Sequence, residues 1–332
     1  MLRLLTYGLA LAMLLVARAT TAQPRRLRAL ASPVLLRGDV KTAYRDPAVL
    51  YEKGTFYLYY TLVETEADGG VFSYVAVSTS RDLTHWTPPQ KITVRDQNLD
   101  FSSPGNIIRV KNEWVLCLQT YPRPHYTADQ MPRFGTGDAR LFLLRSPDLR
   151  HWSAPELLRV KGPNVDEKSL GRMIDPYLLP DPQQPGRYSI FYKQNGVSRS
   201  TSTDLVIWTF AGSAEAGENV CVLPQPDGYY LFNSPHNGIN IKKSTDLQHW
   251  ADWAPLITLG QGQPGWEWAQ GRLTAGAALD LRHVPGIRRY LLFFHGSGPL
   301  TEEQGDFDKN ASIGLAWSTD LRTWHWPQEA AQ

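Results

Sequence analysis

One phrase occurs five times in this chain: Ser, any residue, Asp, Leu, two arbitrary residues, then Trp. The copies begin at Ser80, Ser146, Ser202, Ser244 and Ser318 and end at Trp86, Trp152, Trp208, Trp250 and Trp324. Self-similarity of this kind marks a repeat architecture and constrains every other assignment. Each copy follows an alternating, strand-like stretch such as Val71-Phe72-Ser73-Tyr74-Val75-Ala76-Val77. Ser and Asp side chains bond nearby backbone amides and so favour turns. Leu and Trp then pin the turn on the sheet below. A unit of this kind cannot bury itself alone, but five arranged around an axis can cover one another. The pattern predicts an all-β, five-bladed β-propeller with four-stranded antiparallel blades around a central axis.

The segments before each phrase read as hairpins. Blade one opens at Arg45-Asp46-Pro47 and turns at Lys53-Gly54; blade two opens at Ser103-Pro104 and turns at Lys111-Asn112. Blade three opens at Ile174-Asp175-Pro176, blade four at Gly217-Glu218-Asn219, and blade five near Gly271-Arg272. The propeller is expected over residues 33–327, as one domain. The units are long for four short strands, and the surplus falls in loops at residues 121–138 and 255–270, where function is expected.

Met1-Leu2-Arg3-Leu4-Leu5, an apolar run from Leu9 to Val16 and the small residues Ala19 to Ala22 describe a secretory signal peptide over residues 1–22. The run is too short for a membrane span. A periplasmic or secreted protein with no membrane attachment after cleavage is expected. A net charge of +2 over 332 residues gives no electrostatic case for nucleic acid. The two cysteines, Cys117 and Cys221, sit in apolar strands of different repeats and read as buried free thiols.

In a propeller the first strand of each blade lines the axis, so residues opening those strands converge. Asp46, Asp175 and Glu218 open blades one, three and four. Residues ending the second strands approach the same mouth: Gln119, Lys193, Asn233 and His295. Arg272 opens blade five. Trp266 and Glu267 lie in the aromatic loop before it. Two carboxylates around one depression suffice to hydrolyse a glycoside, and a third raises the pKa of its neighbour.

Asp-Pro in blade one, Ile-Asp-Pro in blade three and Glu opening blade four resemble glycoside hydrolase family 43 and its five-bladed relatives. The resemblance spans nearly all of the mature chain. It implies Asp46 as general base, Asp175 as the residue that orients and tunes the acid, and Glu218 as general acid. It implies an oligo- or polysaccharide substrate bearing arabinofuranosyl, xylosyl or galactosyl units, cleaved with inversion. Arg272, His295, Asn233, Gln119, Lys193, Trp266 and Glu267 become candidate sugar contacts, with Glu267 a rival acid. No cofactor is required, although many relatives carry calcium or sodium on the axis, and no metal ligand is assigned. The chain departs from the family where Asn219-Val220 replaces the usual nearby Pro and where Gly271-Arg272 opens blade five. A retaining, fructosidase-like enzyme and a non-catalytic carbohydrate-binding propeller are the alternatives.

Overall fold

The computed structural model describes residues 25–327. The leader expected at residues 1–22 lies outside them. Strand β1 (Val34–Leu36) comes first but belongs to the last blade. Blade one contains β2 (Thr42–Glu52), β3 (Thr55–Thr65), β4 (Val71–Ser80) and β5 (Gln90–Lys91). Blade two contains β6 (Ser102–Val110), β7 (Glu113–Gln119), β8 (Leu141–Ser146) and β9 (Glu156–Leu157). Blade three contains β10 (Ile174–Pro180), β11 (Tyr188–Lys193), β12 (Val197–Ser202) and β13 (Thr209–Ala214). Blade four contains β14 (Glu218–Gln225), β15 (Gly228–Ser234), β16 (Asn240–Ser244) and β17 (Ala251–Asp252). Blade five contains β18 (Arg272–Asp280), β19 (Tyr290–Ser297), β20 (Ser312–Ser318) and β21 (Trp324–His325).

All pairings within the blades are antiparallel, and each innermost strand touches those of both neighbouring blades. The fold is therefore the expected five-bladed propeller. Both β1 and β21 pair with β20, along different stretches of the same outer edge. The first and last strands of the propeller thus meet in one sheet and close the ring.

Strand alternation explains why the middle strands read as continuous apolar runs. In β7, Leu116 and Leu118 face blade one, whereas Val115 and Cys117 face blade three. In β19, Leu291 and Phe293 pack on blade one, and Leu292 and Phe294 on blade four. Both faces of an interior strand are buried, so the usual polar alternation is lost. At the axis, strands approach so closely that a Cβ on Gly105 would meet the Pro176 carbonyl oxygen at 1.6 Å. Both cysteines are buried free thiols.

The repeated phrase forms one turn, built on the same Ser and Asp bonds in every blade. In the first copy the Leu83 amide donates to Ser80 Oγ at 2.9 Å, and Thr84 and His85 amides donate to Asp82 Oδ1 at 2.8 Å. Leu83, Leu149, Leu205, Leu247 and Leu321 all adopt left-handed φ values between 61° and 71°. That conformation costs a non-glycine residue about 1–2 kcal/mol. Burial of a leucine side chain contributes about 1.5–3 kcal/mol and offsets it. The Trp86 indole N–H closes the turn on the Leu83 carbonyl at 3.1 Å.

Candidate active site

The innermost strand of every blade carries a register shift close to the axis. The residues inserted there include Asp46, Ser103, Asp175 and Asn219, at φ 49°, 40°, 54° and 54°. A bulge bends the strand and re-aims its side chain, and Asp and Asn tolerate left-handed backbone better than most residues. Four blades thus turn a short polar side chain toward the centre. In blade four the inserted residue is Asn219, and Glu218 is paired one position earlier, opposite Ser234. The acid of blade four is therefore out of step with Asp46 and Asp175, and Asn219 occupies their equivalent place.

Asn219 links the two aspartates. Its side-chain amide donates to Asp46 Oδ1 at 3.0 Å, and its backbone N–H donates to Asp175 Oδ2 at 3.2 Å. The Thr61 hydroxyl donates to Asp46 Oδ2 at 2.8 Å, and the Ser103 hydroxyl to Asp175 Oδ1 at 3.0 Å. Both carboxylates accept two bonds and are buried. Glu218 is more exposed and forms an ion pair with Arg272 at 2.8 Å. Arg272 is in turn fixed by a 3.0 Å bond to Thr274 Oγ1.

These residues open on a pocket of about 220 Å³, lined by Asp46, Asp175, Glu218, Asn219, Gln119 and Arg272 among others. Its upper wall comes from two loops that meet across blades. Residues 121–138 supply Tyr121, Arg123 and Phe134; residues 299–310 supply Glu302, Glu303, Phe307 and Asp308. Fully buried Arg123 joins the loops, donating to Asp308 Oδ1 at 2.7 Å and to Asp100 Oδ2 at 2.6 Å. Arg45 lies over the Phe307 ring at 3.8 Å and pairs with Glu302 at 3.3 Å.

Burial, and then the charges of Glu218 and Asp46, push the Asp175 carboxyl up to about 7. A neutral carboxylic acid therefore persists here near neutral pH. Glu302 moves the other way. Burial opposes its charge most strongly, but the Arg45 guanidinium, His295 and Arg272 together outweigh burial and hold Glu302 at about 2.

Three residues expected to touch sugar bond to backbone amides in or beside the bulges. His295 and Asn233 are fully buried and stand outside the pocket lining. The Asp46 amide donates to His295 Nδ1 at 3.1 Å, and the Gly217 amide to Asn233 Oδ1 at 2.8 Å. Gln119 reaches the lining but spends its carbonyl oxygen on the Asp175 amide at 2.6 Å. A bulge leaves amides without ladder partners, and the second strands supply side chains to satisfy them.

Lys193 turns toward the Ala216 carbonyl at 3.5 Å and does not line the pocket. Trp266 and Trp268 are buried against Phe294 in the layer between blades four and five. Glu267 points outward, accepting from the Gly265 amide at 3.3 Å. The loop at 255–270 is core rather than pocket, because its indoles fill the space between two blades. Glu267 is thereby removed as rival acid. The wall at 299–310 was not anticipated, although its run of Glu302, Glu303, Asp306 and Asp308 before the last Ser-x-Asp-Leu turn was a visible signal.

An axial cation would need donors below the carboxylates. There the axis narrows to about 20 Å³, lined by Asp46, Ser103, Asp175 and Asn219 together with Pro47, Pro104, Gly105, Pro176, Val220 and Gly276. Among the described residues, no three His, Cys, Asp or Glu side chains converge as a metal site. His295 Nδ1 accepts the Asp46 amide, whereas its Nε2 is buried without a hydrogen-bond partner, 3.9 Å from Glu302.

No protein-family model matches the chain, and no curated protein matches it. Solved structures do. A glycosyl hydrolase from Bacteroides ovatus superposes with a TM-score of 0.58 at 14% identity, over 90% of this chain and 93% of that one. An exo-1,5-alpha-L-arabinanase from a bovine ruminal metagenomic library gives 0.54 at 14% identity, over 84% and 94%. A GH43 beta-xylosidase/alpha-arabinofuranosidase from a compost microbial metagenome, in complex with xylotriose, gives 0.56 at 11% identity, over 90% and 97%. At such identities the likeness establishes a shared propeller fold along almost the whole chain.

Proposed function

We propose that the chain is an exported glycoside hydrolase that cleaves arabinofuranosyl, xylosyl or galactosyl units from polysaccharide-derived oligosaccharides with inversion. One observation carries this reading. Carboxylates from blades one, three and four share a single pocket, and one of them keeps its proton near neutrality. The names of the similar structures support the reaction class.

Asp46 is the base. Two hydrogen bonds to its oxygens fix its orientation at the pocket, where it can activate a water. Glu218 is the acid that reaches the leaving oxygen, being the most exposed of the three to the pocket. Asp175 lies beneath it. Burial and charge repulsion keep a proton on Asp175 beside the acid, and a substrate entering the pocket has to separate Glu218 from Arg272. Inversion requires the acid and base to flank the bond with room for one water.

The test is a panel of 4-nitrophenyl arabinofuranosides, xylosides and galactosides, followed by natural oligosaccharides. Release from at least one pentoside or galactoside is expected, with the first-formed anomer inverted by proton NMR. A folded protein that binds these sugars and releases nothing would be a binding propeller instead. A retained anomer would make Asp46 the nucleophile of a fructosidase-like enzyme.

A further inference from the structure

We propose that Arg172 binds the carboxylate of an acidic sugar unit next to the one cleaved, so that the substrate is a uronate-bearing oligosaccharide. The proposal rests on the hydrolase reading for the position of the cleaved unit. The pocket is lined by four arginines: Arg45, Arg123, Arg172 and Arg272. Three are committed within the protein, Arg45 to Glu302, Arg123 to Asp100 and Asp308, and Arg272 to Glu218. Among the described residues Arg172 has no carboxylate partner, and its side chain is exposed beside the Tyr121 ring, with a 5.6 Å centroid distance.

The backbone around it is unusually well held. Lys161 and Gln194 both donate to the Leu170 carbonyl, at 2.7 and 3.1 Å. Arg140 donates to the Gly171 carbonyl at 3.0 Å, and Gln194 to the Arg172 carbonyl at 2.9 Å. Gly171 sits at φ +73°, where other residues are strained. Three consecutive carbonyls are thus clamped by long side chains, and the residue they present to the pocket is Arg172. A guanidinium fork matches a carboxylate in bidentate fashion. A dianionic phosphate would meet more repulsion from Asp46, Glu218 and Glu303, so a monoanion is favoured. The aspartates lie buried at the floor and Arg172 is exposed at the wall, which places the acidic unit outside the cleaved one.

The experiment compares kcat/KM for xylotetraose bearing one glucuronic acid branch with plain xylotetraose, digalacturonate with galactobiose, and 6-sulfated galactobiose as a second monoanion. Calorimetric binding of digalacturonate and galactobiose is measured in parallel. Wild type is expected to prefer at least one uronate over its neutral partner by about 10- to 100-fold, the usual scale of a charge-assisted contact. Arg172→Gln should bring that ratio close to one, and Arg172→Lys should restore part of it. A wild-type preference for neutral substrates, or a ratio unchanged in Arg172→Gln, overturns the proposal and leaves the hydrolase reading standing. Sulfated galactobiose favoured over digalacturonate overturns the carboxylate assignment. Arg172-dependent binding of digalacturonate without cleavage of any sugar sinks the hydrolase reading and keeps the anion site.

Discussion

The outer turns and the axial bulges both hold non-glycine residues in left-handed backbone, yet they stabilise them in opposite ways. At the outer turns the strained Leu is supported within its own seven-residue phrase. Ser80, Asp82 and Trp86 all bond within that segment; the other copies repeat the Ser and Asp bonds, and Trp208 repeats the indole bond. At the axis much of the support comes from other blades, beside the bond from Thr61 to Asp46 within blade one. Asp46 of blade one depends on His295 of blade five and Asn219 of blade four. Asp175 of blade three depends on Gln119 and Ser103 of blade two. The first device is local and uniform; the second is non-local and different at each position. A scaffold can therefore be copied five times while its centre becomes a site.

The largest test of this contrast strikes the centre. Asp46→Asn and Glu218→Gln keep shape and remove a base and a proton. Each is expected to lower kcat on natural oligosaccharides by about 10²–10⁴-fold. Aryl glycosides with good leaving groups should spare Glu218→Gln and not Asp46→Asn. If both variants cleave natural substrate at the wild-type rate, the axial carboxylates are not the catalytic set.

Next comes the link between blades. Asn219→Gly tolerates the left-handed backbone and keeps the N–H to Asp175, but loses the bond to Asp46. Loss of one hydrogen bond to a charged group predicts a fall of about 10- to 100-fold in kcat, with the melting temperature little changed. A variant that instead unfolds early while its residual activity stays normal would make Asn219 a purely structural bridge.

This difference in support also explains what was legible in the chain beforehand. Five Ser-x-Asp-Leu-x-x-Trp copies announced blade number and turn positions because each turn is encoded where it forms. Asp46, Asp175 and Glu218 were legible as strand openings, since topology alone brings such positions to the axis. Asn219 was hidden because its role depends on a one-residue register shift in β14. Gln119, Asn233 and His295 were placed near the mouth, but their bonds to amides in or beside the bulges were not legible, because a bulge is not visible as an alternation pattern. Trp266 looked like a sugar platform because exposed and buried aromatics are alike in sequence.

A smaller effect separates Asp175 from any outer-turn acid. Its carboxyl titrates at about 7 when folded, raised by burial, and near 3.9 in an unfolded chain. The folded state therefore binds more protons between these values. Stability from this group is fully present below about pH 4 and is lost as pH rises through about 7. Asp82, by contrast, is held below the usual carboxylate range by the His85 amide and imidazole. The melting temperature of Asp175→Asn minus that of wild type should thus climb between pH 4 and pH 8 in scanning calorimetry. A flat difference would mean that Asp175 is not held neutral by its surroundings.

The smallest expected effect belongs to the outer turns. Ser80→Ala removes the oxygen that accepts the Leu83 and Asp82 amides, and Leu83 is fully buried. A buried amide without a partner costs about 1–3 kcal/mol, and water at the open side of the turn should keep the loss near the lower figure. In a domain of this size that is a drop of about 2–4 °C in melting temperature. Because the support is local, Ser146→Ala and Ser202→Ala should give the same drop, and the double variant of Ser80 and Ser202 the sum. The turn lies on the outer side of its blade, so kcat/KM should match wild type for all of them. Should Ser80→Ala depress turnover as far as Asn219→Gly does, the outer turns would be coupled to the axis, and the division between a copied scaffold and a cross-linked centre would not hold.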